Sequence, residues 1–297
     1  MIVAANLTHN WNITENYKFL PLKGLFELSK DELSNADILS LANFAEEKIK
    51  SSPSGRVYKL ALLFYLIKIL KEAKIDFLVK GGILLQYHLN EKARETSDLD
   101  IIISDDIDRF YNQVEEVFAF NNIKIKKFKK EPADGNFYYD TFNFELELSN
   151  KSGNSYLLTL DGISNKDIYD KVPKEKLLIP DIISGDFIAT PVEYVMAEKV
   201  IAITNELPRP YKHLIDVYSL IHSDINVATL KLCLNLILDN DNQARKNIGR
   251  KVKEYRYYIR EDKYFAGSFI LNELQAGYTL PYEEMREEIN QWMEKNL

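Results

Sequence analysis

Apolar positions along this chain change their period several times, and each change marks a new element. Residues 55–73 are apolar on most turns, broken only by charges such as Lys59 and Lys68, and follow a Ser52-Pro53-Ser54 start signal; this predicts a long helix. A short apolar run at 76–79, the Gly81-Gly82 pair and a stretch to about 89 then read as strand, turn and helix. A second apolar run at 99–103 predicts another strand, and 107–120 has helical spacing. Strands are expected near 123–128, 138–148 and 156–162, with turns at Asp134-Gly135 and Ser152-Gly153-Asn154. Within the second of these, Phe142-Asn143-Phe144-Glu145-Leu146-Glu147 alternates, as a strand with one wet face does.

The pattern shifts near Ile188. Thr190-Pro191-Val192-Glu193 offers an N-cap, a proline at the first helical position and a glutamate three residues past the cap, which together signal a helix start. From there to Leu297 the spacing is helical, with breaks at Leu207-Pro208, His222-Ser223-Asp224 and 278–281. One further helix is expected at 36–49. The expected fold class is α+β: a small mixed sheet with helices in 1–188, including an N-terminal helical extension, followed by an all-helical domain in 189–297.

Composition narrows the setting. The 297 residues are 46% hydrophobic and 28% charged, ordinary for a soluble globular protein. The longest apolar stretch, 57–70, is interrupted by lysines and too short to span a bilayer. Met1 to Asn6 shows neither a charged n-region nor an apolar core, so no signal peptide is expected. Cys233 is the single cysteine, so no intrachain disulfide can form, which suits a reducing cytoplasm. A net charge of −7 argues against a general nucleic-acid coat, though not against local basic surfaces. Lys124, Lys126, Lys127, Lys129 and Lys130 form one cluster, read either as a charge-protected sheet edge or as an RNA contact. Arg245, Lys246, Arg250, Lys251, Lys253, Arg256 and Arg260 form another, interleaved with Tyr255, Tyr257 and Tyr258. Arginines that meet phosphates beside rings that stack on bases would suit RNA; a solvated amphipathic helix is the plainer alternative.

The chemistry concentrates at Asp98-Leu99-Asp100, which opens an apolar strand one element after the Gly81-Gly82 turn. Alternate strand residues share a face, so the two carboxylates point the same way while Leu99, Ile101 and Ile103 point into a core. Two charges about 4 Å apart repel by several kcal/mol at intermediate dielectric. Protonation or a cation relieves that repulsion. Mg²⁺ favours two carboxylates plus substrate phosphates, and a glycine turn can present N–H groups to those phosphates. Asp106-Ile107-Asp108 and Asp239-Asn240-Asp241 repeat the spacing but read as solvated helix-start or loop carboxylates. His9, His88, His213 and His222 lack metal-ligand spacing. No GxGxxG, Walker A, HExxH or GxSxG occurs, which argues against dehydrogenase, P-loop, zincin and serine-hydrolase chemistry.

Gly81-Gly82 followed by Arg94-Glu95-Thr96-Ser97-Asp98-Leu99-Asp100 resembles the signature of the AbiEii/AbiGii nucleotidyltransferase toxins, members of the DNA polymerase β-like superfamily related to the MenT toxins. Two further blocks follow in order: Val195-Met196-Ala197-Glu198-Lys199-Val200-Ile201-Ala202, and Arg209-Pro210-Tyr211-Lys212-His213-Leu214-Ile215-Asp216. The resemblance runs from about Phe77 to Leu220. It implies a nucleotidyltransferase core that moves NMP from an NTP to an acceptor, with two Mg²⁺ ions. By resemblance Asp98, Asp100 and Asp161 hold metal, with Glu145 or Glu147 as substitutes for Asp161. Gly81, Gly82, Arg94, Thr96 and Lys199 are expected to bind the nucleotide, and Asp216 to position Lys199 or a nucleotide group. The family further implies a toxin acting on RNA, such as the tRNA acceptor end, opposed by a separately encoded antitoxin. Ile83 departs from the family's Ser or Thr after the glycines, and His213 stands where an acidic residue is usual. Two alternatives remain open: a small-molecule nucleotidyltransferase of the antibiotic-modifying kind, and a non-catalytic docking module.

Overall fold

Apolar runs in the first two thirds of the chain pair laterally into a sheet, and helices pack against it. The computed structural model describes residues 56–89, 93, 96, 98–132, 139–149, 155–179, 185–205, 211–247, 249–251, 253–259 and 282–297. Its elements, in chain order, are α1 (Arg56–Glu72), β1 (Leu78–Lys80), α2 (Gly82–Leu89), β2 (Asp98–Ile103), α3 (Ile107–Phe120), β3 (Ile123–Glu131), β4 (Asp140–Ser149), β5 (Ser155–Ser164), α4 (Lys166–Lys171), β6 (Glu175–Ile179), β7 (Gly185–Ala189), α5 (Val192–Asn205), α6 (Tyr211–Ile221), α7 (Val227–Asn247) and α8 (Tyr282–Asn296). The strands form one seven-stranded mixed sheet in the order β3-β4-β5-β2-β1-β7-β6. Strand β2 is parallel to β5 and antiparallel to β1, which is parallel to β7. The expected α+β class is what the structure has. The helix expected at 36–49 and the turns at 134–135 and 152–154 lie outside the described residues.

The alternation on β4 sorts the two faces of the sheet. Phe142, Phe144, Leu146 and Leu148 are buried, with Asn143, Glu145 and Glu147 between them. Helix α3 packs on the buried side: the Phe110 ring centroid is 5.1 Å from that of Phe142, and Tyr111 is 4.6 Å from Phe128. Asp106 starts α3 by accepting from the N–H groups of Asp108 and Arg109, as an N-cap does. Its Asp-x-Asp spacing is therefore a helix cap. Gly162 lies opposite Phe142, and any Cβ there would strike the Phe142 ring. The glycine is a gap for an aromatic ring in mid-strand, and β5 continues through it to Ser164 rather than stopping to turn.

Several expectations need correction. Residues 166–189 hold α4, β6 and β7, which the sequence pattern did not reveal. None exceeds six residues, and none is flagged by a neighbouring motif as β1 and β2 are by Gly81-Gly82 and Asp98-Leu99-Asp100. Thr190 does not cap α5: its buried hydroxyl has no hydrogen-bond partner, and its N–H instead extends the sheet to the Val79 carbonyl at 2.9 Å. The C-terminal part is not helical throughout. Residues 253–259 are neither helix nor strand, and are anchored where Asn290 accepts from Ile259 N (2.8 Å) and donates to Ile259 O (3.1 Å). Among the described residues, no helix is long and apolar enough to cross a membrane.

Candidate active site

Sheet register assembles the polar residues. Lys80 on β1 is opposite Asp100 on β2, Asp100 is level with Asp161 on β5, Asp161 is opposite Asn143 on β4, and Asn143 is opposite Lys129 on β3. Residues paired in this way leave the sheet on one face. With strands about 4.8 Å apart, the row Lys80–Asp100–Asp161–Asn143–Lys129 spans roughly 19 Å. Asp98 stands two residues before Asp100, on the same face and level with Thr159. An open cavity of about 470 Å³ lies over the row, lined by Lys80, Asp100, Asp161, Asn143, Lys129 and Thr141 among others.

The Gly-Gly turn closes against the same strand. Gly81 has φ +75°, which favours glycine, and a Cβ there would overlap the Asp100 carboxylate. At Gly82 a Cβ would run into the Thr96 hydroxyl, which donates to Asp98 O at 3.3 Å. Thus Gly81, Gly82, Thr96, Asp98 and Asp100 meet in one place. Helix α2 begins at Gly82, where the first-turn N–H groups of a helix lack intrahelical partners. Arg94 lies outside the described residues. Ile83 is buried.

Charge crowding shows in the titration of these groups. Burial pushes the Asp100 carboxyl up to about 6; Lys80 pulls it back, while Glu198, Asp161 and Asp98 push it further. Asp161 is raised as well, chiefly by burial, against a hydrogen bond from Asn143 Nδ2. Desolvation would lower Lys80, but Glu198, Asp100 and Asp161 outweigh it and its pKa is raised.

Lys199 on α5 and Asp216 on α6 meet each other, as expected of Asp216. Lys199 Nζ lies 2.8 Å from Asp216 Oδ2 and 3.3 Å from His213 Nδ1, with lysine and aspartate both buried. Asp216 therefore pairs with Lys199, while the lysine that lines the cavity beside the carboxylates is Lys80. Glu145 and Glu147 engage Lys127 and Lys126 at 2.9 and 3.1 Å, one strand further out than Asp161. The lysine cluster lies on β3, an edge strand, where Lys126, Lys127, Lys129 and Lys130 each pair with an acid. In the second basic cluster Arg256 and Tyr258 are exposed, Tyr255 and Tyr257 half-buried, and Arg260 lies outside the described residues. Residues 253–259 of that segment are irregular, not the amphipathic helix weighed above.

Sequence reasoning did not single out Lys80 or Asn143. The signal was present: a lysine ending an apolar run just before Gly81-Gly82, and an asparagine on the wet side of the β4 alternation.

Among the described residues, no three His, Cys, Asp or Glu side chains converge as a metal cage. The donor set is instead carboxylates on adjacent strands, two of them on one strand face. This suits a hard cation held by one or two carboxylates and completed by water and phosphate oxygens.

The family to which the sequence belongs makes this arrangement that of a nucleotidyltransferase. The chain is a member of the AbiEii family: the family model described as nucleotidyl transferase AbiEii toxin, type IV TA system, matches residues 66–295. The match extends well beyond 77–220 on both sides. Among solved structures the chain is similar to an antigenic nucleotidyltransferase-like protein from Paracoccidioides brasiliensis, at 16% identity over 66% of this chain and 94% of that one, with a TM-score of 0.41. No curated protein matches.

Proposed function

We propose that this toxin-family nucleotidyltransferase moves a nucleoside monophosphate from an NTP to the 3′ end of an RNA, with tRNA as the acceptor, in the cytoplasm and with Mg²⁺. The observation that carries this reading is the register that sets Asp100 beside Asp161, with Asp98 on the same face and Gly81 packed against Asp100. Asp98 and Asp100 would hold the metal. When bound, Mg²⁺ neutralises triphosphate oxygens and the charge that develops on them. The Gly81–Gly82 backbone and Thr96 border the place where the triphosphate would lie. Asp161, held by Asn143, takes the proton from the acceptor hydroxyl. The hydroxyl oxygen bonds to the α-phosphorus, the bond from that phosphorus to the β-bridging oxygen breaks, and pyrophosphate leaves with the electron pair. Helix α5 borders this face, with Glu198 Oε1 2.8 Å from Lys80 Nζ.

The test is incubation of the purified protein with Mg²⁺, total RNA and each α-labelled NTP in turn. Label in a discrete RNA, lost in Asp98→Asn and Asp161→Asn, is the expected result. No labelled RNA with any NTP sinks the reading, as does label that persists in Asp98→Asn. Label in a small cationic acceptor instead would favour the antibiotic-modifying alternative.

A further inference from the structure

Lys80 ends β1 with its side chain only 13% exposed, and its Nζ lies 2.8 Å from Glu198 Oε1 on α5. Burying an ammonium costs several kcal/mol of hydration unless opposite charge is close. Glu198 and Asp100 supply that charge. The Lys80 ammonium faces the same cavity as Asp100 and Asp161 and directly precedes the left-handed Gly81. An ammonium has three donors, and the Glu198 oxygen engages one of them. Lys199, the next residue after Glu198, is instead committed to Asp216 and His213.

We infer that Lys80 is the catalytic cation that receives the triphosphate oxygens, and that Glu198 is a positioning residue holding the ammonium at the cavity wall. This rests on the nucleotidyl-transfer reading above. As the bond to the leaving pyrophosphate breaks, negative charge grows on the bridging oxygen, and a preset cation there lowers the barrier. The Glu198 contact fixes where that charge stands and keeps it from collapsing onto Asp100, whose Oδ2 lies against Gly81.

The probe is inorganic tripolyphosphate with Mg²⁺, bound to the full chain and followed by calorimetry, alongside transfer kinetics. Lys80→Met should weaken tripolyphosphate binding by about tenfold or more and lower kcat by about 100-fold. Lys80→Arg, which keeps the charge in another shape, should bind within about threefold of wild type. Glu198→Gln should also bind within about threefold yet lose about tenfold in kcat, the pattern of a charge present but unplaced. Because Lys80→Met orphans a carboxylate, Lys80→Met with Glu198→Gln is measured too, and is expected to lose binding likewise. Wild-type binding in both the single and the double methionine variant overturns the inference, as does Lys80→Arg binding no better than Lys80→Met. If tripolyphosphate binding depends on Lys80 but no acceptor is ever labelled, the inference stands and the transfer reading falls.

Discussion

Asp100 and Asp161 stand level on two parallel strands, so their carboxylates are held about one strand spacing apart by the sheet itself. Register sets the two residues level, and the space at Gly81 and the Asn143 hydrogen bond then seat each carboxylate. The site is thus as rigid as the hydrogen bonding between β2 and β5, and its electrostatic strain cannot relax by letting the strands drift.

That strain has a sign that can be measured. Asp100 has a folded pKa of about 6, above the ordinary carboxylate value near 4. The folded state therefore binds this proton more tightly than the unfolded chain. Its contribution to stability is fully present below about pH 4 and is lost as pH rises through about 6. In metal-free buffer at pH 7.5, Asp100→Asn should raise stability by about 2 kcal/mol while abolishing transfer, with the gain gone near pH 4. Urea unfolding at the two pH values is the check; equal stability at pH 7.5 would show the carboxylate is not under strain.

Gly81→Ala meets two obstacles at once, a left-handed backbone and the Asp100 carboxylate. It should cost about 1–3 kcal/mol and displace Asp100, taking transfer to background. Thermal unfolding together with label transfer would show it; an alanine variant with wild-type transfer would mean the turn plays no part in placing Asp100.

The Lys199–Asp216 pair is buried, so removing one partner should be worse than removing both. Lys199→Met or Asp216→Leu alone is expected to cost about 3–5 kcal/mol, because a lone charge is left in the interior. The double variant should recover most of that loss. A double-mutant cycle in urea measures the coupling, and additive losses would contradict it.

Gly162 and Phe142 form a size-complementary pair on the face away from the carboxylates. Gly162→Ala should cost about 1–3 kcal/mol by overpacking. Adding Phe142→Leu, which shortens the ring's reach, should return part of it. If the second substitution only adds further loss, the ring does not fill the glycine's space.

Much of this was legible from residue order. The Asp98/Asp100 pair, the glycine turn, Thr96 and the strand holding Asp161 were each found from period and spacing or from the family blocks, and the sheet brings them together. The roles of Lys80, Asn143 and Glu198 were not legible, since they depend on which strands are neighbours. A single lysine after Leu78-Val79 looks like any strand end until β2 and α5 are placed around it. Elements β6 and β7 escaped notice because no neighbouring motif flags these five-residue strands. The irregular stretch at 253–259 was misread because its basic and aromatic residues suit a helical period, and the anchor that holds it, Asn290, is 31 positions away from Ile259.

Strand β1 is three residues long, yet it lies between β2 and β7 and leads directly into Gly81. Three residues hold no register by their own pairing energy; theirs is imposed by longer strands on both sides. The catalytic face therefore has its narrowest support where its charge is densest. Loosening of β7 would unseat the ammonium and the glycine turn together, and leave the broad β3–β4–β5 half of the sheet standing as an intact but silent scaffold.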